Sequence, residues 1–391
     1  MHLCDSPFKI DLVEEFDIIV VGAGPAGSSA AMSAAEEGVS VLLLEEHSQI
    51  GLPLQCAEGL SRSTIEKYLS INPEWIAVNL SGSIVRGPAG DEFKIEYPDV
   101  GWILNRKIFD PALAQRAVDK GTVLKTKSKV INIEDKMVIV NEDGRIKKYR
   151  FRFLIGADGI GSKIGFLLGI DTRLNLGEIE VCAEYLIENI KIESNYTYLI
   201  FDTKIAPGGY AWIFPKSETS ANVGLGISPI KTRKKAKDYL EEWIKSEFPY
   251  GLIKERIFGG VPAKVLKKFS GKNFFLVGDA GRFTDPLSGA GIANAIKSGM
   301  IAGRNAVLRM KGKRDYFEAE IEKEILSEIR FHKKIRDIYL KLDEDDYRKI
   351  FEIGKKFFEG RIIKDINTHE LVREVIINLP YLLPLCLRLL F

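Results

Sequence analysis

The chain is poor in the residues that build metal centres and disulfide frameworks. It has 391 residues, only four of them cysteine and four histidine. They are scattered, as Cys4, Cys56, Cys182 and Cys386, and as His2, His47, His332 and His369. No CxxC occurs, and no Cys/His group has zinc or iron–sulfur spacing, so no metal is expected. That pattern points to a reducing, intracellular chain without structural disulfides. Most of the histidines are expected at the surface. A dominant charge is missing too: the formal net charge of +2 gives no field for a nucleic-acid partner. No apolar run is long enough to span a bilayer. Residues 1–15 carry Asp5, Asp11, Glu14 and Glu15 and no secretory h-region. No repeat or low-complexity linker interrupts the chain. What is there is ordinary globular material, 46% hydrophobic and 28% charged, in a length that suggests two or three structural units.

The most informative segment begins at Phe16. An apolar strand over 18–21 runs into Gly22-Ala23-Gly24-Pro25-Ala26-Gly27. A small-residue helix follows, then a second apolar strand over 41–44 that ends in Glu45. Gly22 permits the tight turn, Gly24 lets the backbone approach a pyrophosphate, and Gly27 lets the helix pack on the strand. The helix N-terminus offers N–H groups and partial positive charge to phosphates. Glu45 stands where an acid accepts both ribose hydroxyls. It would repel a 2′-phosphate, so the site suits FAD or NAD rather than NADP.

This dinucleotide unit is not completed locally. A helix is expected over 109–119, short strands around Val123, Val130 and Val138, and a hairpin turn at Asn141-Glu-Asp-Gly144. Residues 152–159 read as another buried strand entering a tight turn. Residues 178–229 alternate in strand fashion, a helix covers about 232–247, and a parallel-type strand returns at 273–277 before a long helix over 291–310. The expected fold is therefore α/β. A discontinuous Rossmann-like FAD-binding domain takes residues 1–175 and 256–310. A mainly antiparallel substrate sheet, residues 176–255, is inserted in it, and residues near 75–105 are open to joining that sheet. A helical region, 311–391, ends in an apolar tail. The tail, 379–391, reads either as packed on the core or as a wall of an apolar tunnel or interfacial patch. Lys333, Lys334 and Arg336 read as a solvated helix face or as a site for an anionic head group.

Two further segments bear on the cofactor. Gly278-Asp279 at a strand end, followed by Pro286-Leu-Ser-Gly-Ala-Gly291-Ile292, matches the second FAD motif of aromatic-hydroxylase-type flavoproteins. Asp279 suits the ribityl chain, and the helix N-terminus at Gly291 and Ile292 suits the flavin ring. Gly156-Ala-Asp-Gly159 resembles the intermediate motif of that superfamily, and Arg106 resembles the arginine that reaches the cofactor there. Three motifs in order favour FAD over NAD. No second GxGxxG is present for NADPH.

Gln55-Cys56-Ala57-Glu58-Gly59-Leu60 and Tyr210-Ala-Trp212-Ile-Phe214-Pro215-Lys216, with Asn222-Val-Gly-Leu-Gly226 after it, narrow the choice. They resemble the geranylgeranyl reductase family, most closely the archaeal digeranylgeranylglycerophospholipid reductases. Ala57 stands where many members have glycine, and the match weakens beyond about residue 310. The resemblance implies FAD contacts at Ala26, Glu45, Cys56, Ala57, Gly59, Arg106, Val130, Asp279, Gly291 and Ile292. It also implies saturation of geranylgeranyl chains on a prenylated ether phospholipid, by a cytoplasmic protein peripheral to the inner membrane surface. Such alkenes have no carbonyl to polarise them, so a buried acid beside the flavin would deliver a proton while hydride reaches the more substituted carbon. Cys56 is the first candidate acid and Glu58 the second; simple packing of Cys56 on the ring stays open. Tyr210, Trp212 and Phe214 alternate on one strand and share a face, either as cavity lining or as sheet core. Lys216 reads as a phosphate anchor or a strand cap. The electron donor is left among ferredoxin, NADPH and a deazaflavin. The alternative activity is a flavin monooxygenase acting on an apolar or aromatic substrate.

Overall fold

The computed structural model describes residues 13–88 and 90–363, together with Arg373 and Ile377. His2, Cys4, His369, Cys386 and the apolar tail 379–391 lie outside the described residues.

The described chain opens with β1 (Glu14–Val21), α1 (Pro25–Ala35) and β2 (Val41–Leu44). Next come β3 (Gly59–Ser61), α2 (Arg62–Ile65), β4 (Ile76–Arg86), β5 (Glu92–Leu104) and α3 (Arg106–Asp119). β6 (Val123–Lys125), β7 (Ser128–Glu134), β8 (Met137–Glu142), β9 (Arg145–Gly156) and α4 (Lys163–Leu167) follow. The middle holds β10 (Ile179–Glu188), β11 (Tyr196–Ile200), β12 (Ala211–Ser217), β13 (Ser220–Ile227), α5 (Ala236–Glu247) and β14 (Leu252–Pro262). After β15 (Ser270–Gly271) and β16 (Phe274–Leu276) the chain is helical: α6 (Ile292–Met310), α7 (Phe317–Ile321), α8 (Ser327–Tyr339) and α9 (Glu344–Phe358).

The strands form two sheets. In the first, β16, β9, β1, β2 and β6 run parallel, with β15 antiparallel at one edge and β7–β8 attached to β9 as an antiparallel meander. The central strands are apolar without alternation because both faces are covered; Ile18, Ile19, Leu42, Leu43, Leu154 and Ile155 are fully buried. α1 and α6 pack on each other backbone to backbone. A side chain at Gly299 would stand 2.2 Å from the Ala26 carbonyl oxygen, and one at Gly303 2.5 Å from that of Ala30. This is why all of α1 except Pro25 and Met32 is alanine, glycine or serine.

The second sheet has the order β14-β10-β13-β12-β11-β4-β5-β3 and is antiparallel except between β11 and β4. It extends beyond the 176–255 expected of it, taking β3, β4 and β5 from the early chain and β14 up to Pro262. The parallel β11–β4 pairing joins the early hairpin to the later strands. Strand alternation gives the sheet two unlike faces. One is apolar: Ala183, Tyr185, Ile187, Ile213, Val223 and Leu225 pack with Leu240, Trp243 and Ile244 of α5. The other carries Cys182, Glu184, Trp212, Phe214 and Asn222.

Two helices begin elsewhere than expected. α3 starts at Arg106, three residues earlier, so Arg106 is its first residue. α5 starts at Ala236, because residues 232–235 form a turn in which Thr232 accepts from the Lys234 N–H.

Candidate active site

The first sheet prepares its surface with backbone. Gly22 has φ +99°, and a side chain there would stand 2.4 Å from the Ala157 carbonyl oxygen. A side chain at Gly27 would stand 1.7 Å from the Gly22 oxygen. Gly24 differs: nothing lies within 4 Å of where its Cβ would be. Gly24 is also the N-cap of α1 and gives it no side-chain cap, and Gly291 stands likewise before α6. Two helix N-termini without side-chain caps therefore follow parallel strands of one sheet, the arrangement that receives anionic and electron-rich ligand groups.

Glu45 closes β2 with its carboxylate turned to the glycine turn. Oε2 accepts the Ala23 N–H at 2.8 Å, and Oε1 accepts the His47 N–H at 2.9 Å with His47 Nδ1 2.7 Å away. The Ser128 N–H donates to the Glu45 carbonyl, which brings β7 and Val130 beside this acid. A cleft of about 710 Å³ opens next to it, between His47–Leu54 and Glu255–Ile257.

Asp279, Gly291 and Ile292 come together after β16. The Thr284 hydroxyl donates to Asp279 Oδ1, and the Cβ position of Gly291 is 3.7 Å from the same oxygen. Asp158 of the intermediate segment accepts from Ser162 Oγ and the Ile164 N–H, at 2.9 and 2.8 Å. Arg282 was not singled out in the sequence. It is left-handed (φ 62°) and buried, and it donates to the carbonyls of Ile160, Asp279 and Thr172 at 2.7, 2.9 and 2.5 Å. It ties the second FAD segment to the intermediate one. Its signal was an arginine inside an otherwise small and apolar stretch. FAD fits this surface: the start of α1 would hold its pyrophosphate, Glu45 its ribose, Asp279 its ribityl chain and the start of α6 its ring.

The second sheet prepares its surface with side chains. Glu58 has φ 71° and is 2% exposed. A non-glycine residue in that region is held by its surroundings. Its Oε1 accepts the Arg106 N–H at 2.8 Å; its Oε2 accepts Lys216 Nζ at 2.5 Å and Asn222 Nδ2 at 2.9 Å. Both Glu58 oxygens are thus engaged within the protein. Lys216 also donates to the Leu104 carbonyl at 2.7 Å. Its charge is engaged inside the protein rather than offered to a phosphate. Arg106 is gripped at both ends of its guanidinium by Asp110, at 3.0 and 2.5 Å, and lies beside Cys56. Cys56 Sγ accepts the Glu58 N–H at 3.3 Å. Burial pushes its thiol above the ordinary range, against the pull of Arg106.

Tyr210, Trp212 and Phe214 form a row, with ring centroids 5.8 and 6.4 Å apart, extended by Phe201 at 5.8 Å from Tyr210. Gly59 is needed beneath it, since a Cβ there would stand 2.9 Å from the Phe214 ring. Ala57 lies at the same junction, its carbonyl 3.5 Å from Asn222 Nδ2. The Tyr210 hydroxyl donates to the Ser288 carbonyl at 2.5 Å, linking the row to the loop before α6. Glu184, also not singled out in the sequence, is 3% exposed and accepts the Trp212 indole N–H at 2.7 Å. Burial pushes its carboxyl up to about 8, and neighbouring Glu58 adds to the shift. A lone glutamate in a strand gives no motif.

The helical region is less solvated than its charge suggested. Arg336 is 2% exposed and pairs with Glu180, so it belongs to neither reading made of it. Lys333 pairs with Asp337 at 2.6 Å. Most of the histidines are expected at the surface; His332 is buried, against Asp285.

A parallel sheet with two open helix starts, facing a second sheet that carries a thiol, anchored charges and an aromatic row, defines an FAD-dependent oxidoreductase of two-sheet architecture. An FAD dependent oxidoreductase family model matches residues 17–150, and a geranylgeranyl reductase catalytic domain model matches residues 178–261. The chain is 43% identical over 305 residues to the digeranylgeranylglycerophospholipid reductase of Methanosarcina acetivorans, covering 74% of this chain and 75% of that one. It is 34% identical to that of Methanocella arvoryzae, over 94% of this chain and 97% of the relative. The crystal structure of a geranylgeranyl bacteriochlorophyll reductase-like protein from Thermoplasma acidophilum superposes with a TM-score of 0.86 at 28% identity, over 95% of this chain and 100% of that one. The chain belongs to the geranylgeranyl reductase family, in its group of digeranylgeranylglycerophospholipid reductases.

Proposed function

We propose that the protein saturates the geranylgeranyl double bonds of digeranylgeranylglycerophospholipids, giving the phytanyl ether lipids of archaeal membranes. The observation that carries this reading is the 34% identity over 97% of a relative of that name. The side chains of the second sheet supply the chemistry it needs. When bound and reduced, FAD supplies hydride equivalents to this site. A trisubstituted alkene cannot accept hydride alone without becoming an unstabilised carbanion, so a proton must be delivered as well. Cys56 holds that proton. Burial keeps its thiol neutral, and Arg106 beside it offsets the charge of the thiolate left behind. The row of Tyr210, Trp212 and Phe214 offers an apolar, aromatic surface to a prenyl chain and excludes water from it. Glu58 and Lys216 brace the Cys56 loop against the sheet.

The lipid substrate calls for a protein at the cytoplasmic membrane surface, held there peripherally. Among the described residues no helix is long and apolar enough to cross a membrane. A ferredoxin, NADPH and a reduced deazaflavin are the candidate electron donors, separable by their anaerobic rates of flavin reduction.

The test is anaerobic. The flavoprotein is reduced chemically, an unsaturated geranylgeranyl ether phospholipid is added, and flavin reoxidation is followed together with the lipid mass. Gain of hydrogen pairs in step with flavin oxidation is expected. An unchanged lipid without oxygen, with oxygen inserted into a substrate in air, would instead establish a monooxygenase.

A further inference from the structure

The two ends of the second sheet expose apolar side chains in different company. At one end β11 and β13 finish, and β10 and β12 begin. There Leu176, just before β10, and Ile230, just after β13, are 67% and 57% exposed. They come from separate segments yet are neighbours: a Cβ on Gly177 would stand 3.9 Å from Ile230 Cγ2. Single exposed aliphatic side chains are ordinary, whereas two brought together form an apolar tip. Cations surround this tip. Residues 231–237 hold five lysines and arginines and no acid. Lys234 and Lys237 pair with Glu242 and Glu241 of α5. Lys231, Arg233 and Lys235 are exposed, and among the described residues none of them has a carboxylate partner. The acids nearby are engaged with other cations: Asp171 with Arg173, Glu178 with Lys264, Asp337 with Lys333 and Glu344 with Lys204. At the opposite end Leu252 is exposed as well, but its register partner is Glu188, and Glu218 stands in the turn between β12 and β13.

The cationic end is also where the aromatic row starts. Phe201 follows β11 and Tyr210 precedes β12, and from them the row passes through Trp212 to Phe214 beside Gly59. Gly208, in the loop before Tyr210, packs against the patch. A Cβ there would stand 2.9 Å from Lys231 Cγ and 3.1 Å from Leu340 Cδ2. The carbonyl of the next residue, Gly209, accepts the Tyr339 hydroxyl at 2.6 Å. The end of α8 thus holds the loop that joins patch and row.

We propose that this end of the second sheet docks on the anionic surface of a lipid bilayer. Leu176 and Ile230 enter the head-group region, and Lys231, Arg233 and Lys235 lie on its phosphates. This rests on the reading of the substrate as a membrane phospholipid, and it adds where that lipid is met. Prenyl chains enter at Phe201 and Tyr210, the outer end of the row, and advance toward Cys56. Each lysine or arginine beside a bilayer contributes through the negative surface potential, and each aliphatic tip through burial at the acyl boundary. An acidic protein is the rival occupant. The bare aliphatic tips favour lipid, because a bilayer accepts them without a matching pocket.

The first test is vesicle binding by the full-length, FAD-loaded protein, and it needs no turnover. Co-sedimentation is measured with vesicles of phosphatidylcholine alone and of phosphatidylcholine mixed equally with phosphatidylglycerol. Binding to the mixed vesicles is expected, weakening as salt is raised. K231Q/R233Q/K235Q should lower that binding on the order of a hundredfold, and L176S/I230S on the order of tenfold. These side chains are all exposed, so both variants should keep wild-type stability. A wild type that ignores the mixed vesicles, or variants that bind them as wild type does, overturns the proposal. Retention of an acidic ferredoxin by the same cations, uncontested by mixed vesicles, overturns it as well. The second test uses the geranylgeranyl lipid. Both variants should saturate it more slowly when it is held in mixed vesicles, and at the wild-type rate when it is dispersed in neutral detergent. Equal slowing in both media overturns the proposal. Vesicle binding that the variants lose, with the lipid left unsaturated by wild type, refutes the lipid reading and leaves the docking surface standing.

Discussion

The two sheets meet the same demand, a surface ready for a ligand, by opposite means. The first uses absence: no side chain at Gly22, Gly24 and Gly27, and no side-chain cap on α1 or α6. The second uses presence: Glu58, Lys216, Asn222, Glu184 and Trp212 reach across strands to one another. A surface of bare backbone suits a cofactor whose phosphates and ring edges want N–H groups. A surface of interlocked side chains suits chemistry, because each group's charge state is fixed by its neighbours.

The comparison breaks first, if at all, in the cradle. Gly27→Ala drives a Cβ into the Gly22 carbonyl at 1.7 Å. Loss of bound flavin from the purified protein is expected, with destabilisation of about 4 kcal/mol in chemical denaturation. Gly24→Ala is the control: φ is −68° and the space is open. Its stability should stay within about 0.5 kcal/mol of wild type. Its FAD affinity should fall on the order of tenfold, about 1.4 kcal/mol, in flavin fluorescence titration. A Gly24→Ala protein that loses stability instead would show that this glycine is structural, like its neighbours.

In the wall the largest effect should come from Lys216→Met. The side chains of the pair are 18% and 3% exposed, and removing the lysine strands a buried carboxylate on Asn222 and one N–H. About 3 kcal/mol of stability should be lost. Gly224→Ala should cost about 2 kcal/mol, by forcing the indole off its floor 2.5 Å away, and should change the tryptophan fluorescence. If either variant is as stable as wild type, the wall is a loose collection of side chains rather than an interlocked one.

The same contrast explains what could be read from the sequence. The cradle is nearly all local: Gly22, Gly24, Gly27 and Glu45 sit within one strand-helix-strand unit, and Asp279, Gly291 and Ile292 within the one segment from the end of β16 to the start of α6. Backbone requirements leave glycines at fixed spacing, and spacing is visible. Alternation also placed Tyr210, Trp212 and Phe214 on one face correctly. The partners within the wall are set by register, which no single segment records. Lys216 read as a phosphate anchor or a strand cap because its partner, Glu58, is 158 residues away. Glu184 looked ordinary because its environment is made by β12 and β13. Arg336 reads in sequence as a solvated face or a head-group site, and neither its partner Glu180 nor Asp285, the partner of His332, is near in sequence; they lie on the two surfaces that α8 bridges.

That bridge gives the smallest effect and the most direct reading of how the two surfaces are coupled. Burial disfavours the imidazolium of His332, but Asp285 outweighs burial and holds its proton on above the ordinary 6.5. Burial likewise works against the Asp285 carboxylate, and His332 keeps it below its ordinary value. A raised histidine stabilises the fold fully below pH 6.5, where the unfolded chain is also protonated, and loses that contribution as pH rises through the folded value. Stability should therefore fall by about 1 kcal/mol as pH climbs from 6.5 through the raised folded value. In His332→Gln this decline should be absent. Asp285 sits in the loop before α6, three residues from Ser288, whose carbonyl holds Tyr210. If the clamp couples cradle and wall, the same pH rise should alter the flavin absorbance of wild type and leave His332→Gln unchanged. Loss of stability without a change at the flavin would mean that α8 braces each sheet separately.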